Sequence, residues 1–146
     1  MSTATASAVS ENSRSTAQVY FQGTIATQAF KDDFPKHELK SDYWWVEATQ
    51  RDLGIGNRRR IVVFKYLADP ATLPSGRYTL RPDEPDERFS VIYMELNDAP
   101  PPAYTAERGT IEFIHNEQTN HVSGALDVYY VDVGGQEQRM QILFNV

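Results

Sequence analysis

From Val19 onward, apolar and polar residues alternate with a period of two, and clusters of turn-forming residues separate the runs. No long window keeps the 3.6-residue period of a helix. The pattern therefore predicts strands over about 18–30, 42–50, 59–67, 77–81, 88–96, 109–115, 121–132 and 137–146. Between them lie Asp32-Asp33-Phe34-Pro35, Gly54-Ile55-Gly56-Asn57, Leu73-Pro74-Ser75-Gly76 and Asn97-Asp98-Ala99-Pro100-Pro101-Pro102, segments whose residues favour turns for known backbone reasons. The consecutive prolines cannot donate to a ladder and force an extended connection. Short strands at this spacing imply an all-β fold, an antiparallel β-sandwich, with a partly closed β-barrel as the alternative.

The C-terminal third carries enough apolar alternation to predict register, because a one-residue slip exchanges the two faces of a strand. Pairing Tyr130 with Met140 and Val128 with Ile142 puts the apolar residues of both strands on one face and leaves Gly134-Gly135-Gln136 as a loop. A glycine there takes the left-handed position. One hairpin earlier, the same reasoning pairs Phe113 with Val122 and Ile111 with Gly124, and brings Arg108 opposite Asp127 with Leu143 on its other side. The face that results holds Ile111, Phe113, Val122, Leu126, Val128, Met140, Ile142, Phe144 and Val146. It requires a second sheet as cover, and the first-half strands with Phe21, Ile25, Trp44, Val46, Ile61 to Phe64 and Val91 to Leu96 are the expected source.

Three short segments carry a resemblance. Leu73-Pro74-Ser75-Gly76-Arg77-Tyr78, then Gly109-Thr110-Ile111-Glu112-Phe113, then Val122-Ser123-Gly124-Ala125-Leu126, followed by an apolar closing strand, resemble small β-sandwich domains of unknown function found in many bacterial lipoproteins. Those domains commonly read GxY, GTIxI and VSGTFxF. The likeness covers about half of the chain and implies a bacterial β-sandwich. It transfers no catalytic residue, because its motifs are turns and strands. The chain departs from the pattern in lacking a lipid-attachment cysteine.

Composition narrows the functional classes. The chain has 146 residues, no cysteine and a formal charge of −6, with fourteen Lys and Arg scattered along it. Disulfides, thiolate metal sites and cysteine nucleophiles are excluded, and nucleic acid is not an expected partner. No apolar run approaches the length of a membrane span. Residues 1–17, rich in Ser, Thr and Ala, read as a flexible tail ahead of a single domain over 18–146. The tail has neither an early basic cluster nor an apolar block, so the expected location is cytoplasmic, or exported without a recognisable secretory signal. Tyr20-Phe21-Gln22-Gly23 resembles the end of a protease tag, but Ala17-Gln18-Val19 precedes it and the segment is read as native strand.

Few constellations of reactive residues stand out. No G-x-S-x-G elbow accompanies the three histidines, and Ser123 beside Gly124 reads as a strand residue, the glycine packing closely under Ile111. His115, Glu117 and His121 look superficially like a metal site, but His115 falls on the core-side face and His121 on the other, so their ligand atoms diverge. Asp83-Glu84-Pro85-Asp86-Glu87 matches no calcium loop and reads as a solvated charge run. No cofactor or metal is expected.

The candidate ligand-binding residues are Tyr43, Trp44, Trp45, Arg58, Arg59 and Arg60. Trp44 and Trp45 occupy opposite faces of one strand and should differ sharply in burial, one packed inside and the other covered at an edge or presented as a stacking platform. The arginines could hold a phosphate or carboxylate, but alternation splits them between faces and favours a solvated hairpin tip. The expected function is a non-catalytic binding or interaction module for a carbohydrate, a small apolar ligand or a protein partner, with an edge strand as a route to a homo-oligomer. The alternative is a glycosidase using paired carboxylates among Glu47, Asp52, Glu95 and Asp127.

Overall fold

A computed structural model describes residues 18–51, 59–96 and 102–146, without the side chain of Arg51. The tail expected over 1–17, the Gly54-Ile55-Gly56-Asn57 turn, Asp52, Arg58 and most of the proline run lie outside the described residues. The elements are β1 (Tyr20–Ile25), β2 (Gln28–Asp32), β3 (Lys36–Lys40), β4 (Tyr43–Arg51), β5 (Arg59–Leu67), β6 (Gly76–Leu80), β7 (Phe89–Leu96), β8 (Ala103–Thr105), β9 (Arg108–Asn116), β10 (His121–Val131) and β11 (Glu137–Asn145). They form two antiparallel sheets. One runs β2-β1-β11-β10-β9-β6 and the other β3-β4-β5-β7-β8, an open β-sandwich rather than a barrel. Among the described residues no helix is long and apolar enough to cross a membrane.

All nine residues of the expected apolar face are buried. Their cover comes from β4, β5 and β7, which contribute Val46, Ala48, Val62, Phe64, Val91 and Tyr93. Phe21 and Ile25 do not belong to that cover. They sit on β1, paired to β11 within the same sheet as the face they were expected to oppose. Aromatic rings tie the two layers together, Phe64 standing 5.9 Å from Phe113 and 5.7 Å from Phe144. Such pairs add about 0.5–1.5 kcal/mol each beyond the area they bury.

The faces follow the sequence, but both C-terminal registers are shifted by two residues. Val128 pairs with Met140 and Leu126 with Ile142, while Gly124 pairs with Phe113 and Leu126 with Ile111. A shift of two preserves which face each side chain occupies, so alternation alone cannot choose between the registers. The choice is made by the loop. Asp132 Oδ1 accepts from the backbone N–H of Gly134 and of Gln136, and Gly135 takes the left-handed conformation at φ 79°. Gly124 lies opposite Phe113 rather than Ile111, and a Cβ there would collide with the Glu112 carbonyl.

The predicted strand over 18–30 is a hairpin, β1 and β2, turning at Ala26 and Thr27 with φ of 51° and 68°. Two successive positive φ values usually call for Asn-Gly, and Ala-Thr carries no such signal. Two further strands were not expected. β3 reads Lys-His-Glu-Leu-Lys, too polar to register as a strand, and β8 is three residues long. Gly76-Arg77-Tyr78 opens β6, Gly109 to Phe113 lie on β9 and Val122 to Leu126 on β10, three adjacent strands of one sheet.

Candidate functional site

At one end of the sandwich β3, β4, β5 and β9 bring four ring side chains together. β3 is an edge strand whose Lys36, Glu38 and Lys40 are exposed, an arrangement that blunts the edge against pairing with another chain. Its His37 lies opposite Val46 and turns inward. The Trp44 ring stands 4.5 Å from the His37 ring and 5.2 Å from the His115 ring. The Tyr66 hydroxyl lies 2.8 Å from His115 Nδ1 and 3.2 Å from His37 Nε2, and His115 Nε2 lies 3.1 Å from Asn120 Oδ1.

One arrangement of hydrogens satisfies every contact of this relay. In it, His115 Nε2 donates to Asn120 Oδ1 and Nδ1 accepts the Tyr66 O–H. The phenol oxygen then accepts from His37 Nε2–H. Burial pushes the Tyr66 phenol above its ordinary value, which keeps it protonated as the relay requires. Burial also lowers His37 to about 4, helped by the nearby charges of His115 and His121. The backbone N–H of His115 donates to Ser75 Oγ at 2.8 Å, tying β9 to the segment ahead of β6.

Beside the relay lies a cleft of about 360 Å³. Trp44, Leu67, Leu73, Pro74 and Phe113 supply apolar wall, and Ser75, His115, Glu117 and Asn120 supply polar groups. Apolar walls with a few placed polar groups are the usual composition of a small-molecule site. Glu117 and Asn120 belong to the β9–β10 turn. Asn116 Oδ1 accepts there from the N–H groups of Gln118 and Thr119, and Asn120 has φ 59°.

The residues singled out by sequence separate between the faces of the sheets. Trp44 points inward against the core and reaches the cleft, whereas Trp45 and Tyr43 face out from β4. The expected sharp contrast in burial is not found. Both tryptophans are partly covered, Trp45 because Lys40 Nζ lies 4.5 Å over its ring. Lys65 Nζ covers the Tyr43 ring at the same distance, and the Tyr43 hydroxyl donates to the Glu87 carbonyl.

Arg59 and Arg60 do point to different sides, but Arg60 is not part of a solvated tip. It shares the inward face of β5 with Val62 and Phe64 and is only 5% exposed. Its Nη2 donates to the Ala29 carbonyl and Gln50 Oε1, its guanidinium lies 5.5 Å from the Phe30 ring, and among the described residues Nε and Nη1 have no partner.

His115 and His121 diverge as expected, His121 Nε2 donating to Asn145 Oδ1 at 2.7 Å. Among the described residues no three His, Asp or Glu side chains are grouped to hold a metal ion. Within the acidic run, Asp86 is engaged by the Arg88 guanidinium at 2.7 Å. Glu47 faces out from one sheet and Asp127 from the other, while Glu95 accepts from the Tyr93 hydroxyl at 2.8 Å. Asp127 is paired not with Arg108 but with Arg139, through two bonds of 2.9 and 2.8 Å, because the shifted register places Thr110 and Gln141 on its flanks. Arg108 instead holds Glu137.

Sequence reasoning missed His37, Tyr66 and Asn120. A usable signal was present in Tyr66, a polar aromatic at a core-side position of β5, facing a strand whose His115 was already placed on the core side. The chain matches no protein-family model, no curated protein and no solved structure.

Proposed function

We propose that this domain is a non-catalytic binding module that takes a small, largely apolar ligand into the cleft beside Trp44 and His115. The observation that carries this reading is the cleft's construction. A tryptophan and a phenylalanine supply apolar wall, and the neighbouring polar groups are held by a closed hydrogen-bond relay. Preorganised walls reduce the ordering cost that a ligand must offset. A stacking platform for a flat sugar is less favoured, because lysine side chains cover the outward rings of Tyr43 and Trp45. We also propose kinship with the bacterial lipoprotein sandwich domains, on the three motif segments alone.

The test is intrinsic tryptophan fluorescence during titration with a panel of small aromatic and alkyl compounds. The signal change on binding should vanish in Trp44→Phe and persist in Trp45→Phe. A response lost in Trp45→Phe and kept in Trp44→Phe would place binding on the outer face and contradict the proposal.

A further inference from the structure

We infer that the ligand of this cleft is an organic cation, an aromatic or alkyl amine whose ammonium group is received at Glu117. The inference rests on the binding reading above and specifies its chemistry. Among the described residues that line the cleft, no lysine or arginine is present, and Glu117 is the one carboxylate. The walls beside it include the rings of Trp44, Tyr66 and Phe113. Aromatic faces attract a cation through their quadrupole and offer an anion nothing.

The polar rim points the same way. An ammonium brings only donors, and the Glu117 carboxylate brings only acceptors. Asn120 Oδ1 already receives the His115 N–H, which leaves the carboxylate as the strong acceptor at the mouth. The backbone of the turn that carries Glu117 is held by the Asn116 side chain, whose Oδ1 accepts from the N–H groups of Gln118 and Thr119. A carboxylate ligand would meet Glu117 with no cation to offset the repulsion. A neutral alcohol of the same shape would gain the apolar contacts and lose the charge term. The chain's formal charge of −6 also draws cations toward it.

The experiment uses the full chain carrying Trp45→Phe, so that Trp44 is the sole tryptophan reporter. Phenethylamine, phenethyl alcohol and phenylacetate are titrated separately at pH 7. The amine should bind roughly tenfold more tightly than the alcohol, with the carboxylate weakest. Glu117→Gln should remove the amine's advantage and leave alcohol binding unchanged, a readout that also shows the variant is folded. Equal affinity for amine and alcohol, tighter binding of the carboxylate, or an amine preference that survives Glu117→Gln would each overturn the cation assignment while leaving the cleft as a binding site. Binding of none of the three would overturn the assignment together with the binding reading beneath it.

Discussion

The two ends of this sandwich bury polar side chains in opposite ways. At the cleft end, the Tyr66 hydroxyl and the imidazoles of His37 and His115 meet one another and Asn120 in a closed relay. At the other end, Arg60 is nearly as buried as Tyr66, yet among the described residues two of its guanidinium nitrogens have no partner. A buried polar group costs little when satisfied and several kcal/mol when it is a charge left incompletely paired. The contrast separates a polar cluster beside a cleft from a cation buried against Phe30 and paired across the strands with Glu95.

The largest expected effect lies in the relay. Tyr66→Phe leaves His115 Nδ1 and His37 Nε2 without their hydroxyl partner in a part-buried setting and should cost about 1–3 kcal/mol in chemical denaturation. The corresponding change at the other end, Tyr93→Phe, should cost less, because the Glu95 carboxylate that accepts its hydroxyl is exposed and can turn to water. Equal losses at the two tyrosines would erase the distinction between the ends.

A pH series sharpens the same comparison. His37 is held at about 4 in the folded protein against an ordinary value of 6.5, so between those values the unfolded chain binds more protons. Stability from this group is therefore complete above about pH 6.5 and declines as pH falls toward 4. His37→Gln can keep the donor to Tyr66 and should flatten the dependence measured between pH 7 and 5. An unchanged slope would show that His37 does not carry it. The carboxylates of Asp127, Asp132 and Glu137, each lowered by hydrogen bonding to a neighbouring side chain, act mainly below that window.

Smaller effects are expected elsewhere. Arg60→Met removes a charge that is incompletely paired among the described residues and leaves the exposed Ala29 carbonyl to water, so stability should stay within about 1 kcal/mol or rise. A loss of several kcal/mol would mean that the guanidinium is better compensated than its contacts show. Asp127→Asn, at a half-exposed ion pair with Arg139, should cost about 1 kcal/mol or less. Charge reversal at both positions together should recover most of the loss from either reversal alone.

How far these features were legible in the sequence differs by element. Alternation in β9, β10 and β11 identified every buried residue of the apolar face, because a period of two is dictated by the pleat itself. It could not resolve a two-residue register shift, which leaves the alternation intact. Ala26-Thr27 turns without turn residues, and the polar edge strand β3 is stabilised by pairing with β4 rather than by its own pattern. Of the cleft, the sequence singled out Trp44 as a ligand-binding candidate and His115 and Glu117 only as a rejected metal site. The cleft's members come from β4, β5, β9 and the segments before β6 and after β9, which no spacing along the chain links to one another, and His37 beside it sits on a strand that the pattern does not reveal. Arg60 was assigned to its face by parity, but that parity did not disclose that the face was the core.

The central claim is that the relay end, and not Arg60 or the outward tryptophan, receives the ligand. Amide chemical-shift mapping of the ¹⁵N-labelled protein during titration with phenethylamine tests it most directly. The account predicts that the perturbed signals cluster at the amides of Leu67, Ser75, His115 and Asn120 and the Trp44 indole N–H, with the amides around Arg60 and the Trp45 indole N–H unmoved. Perturbations centred on Arg60, or on Tyr43 and Trp45 with His115 silent, would contradict it.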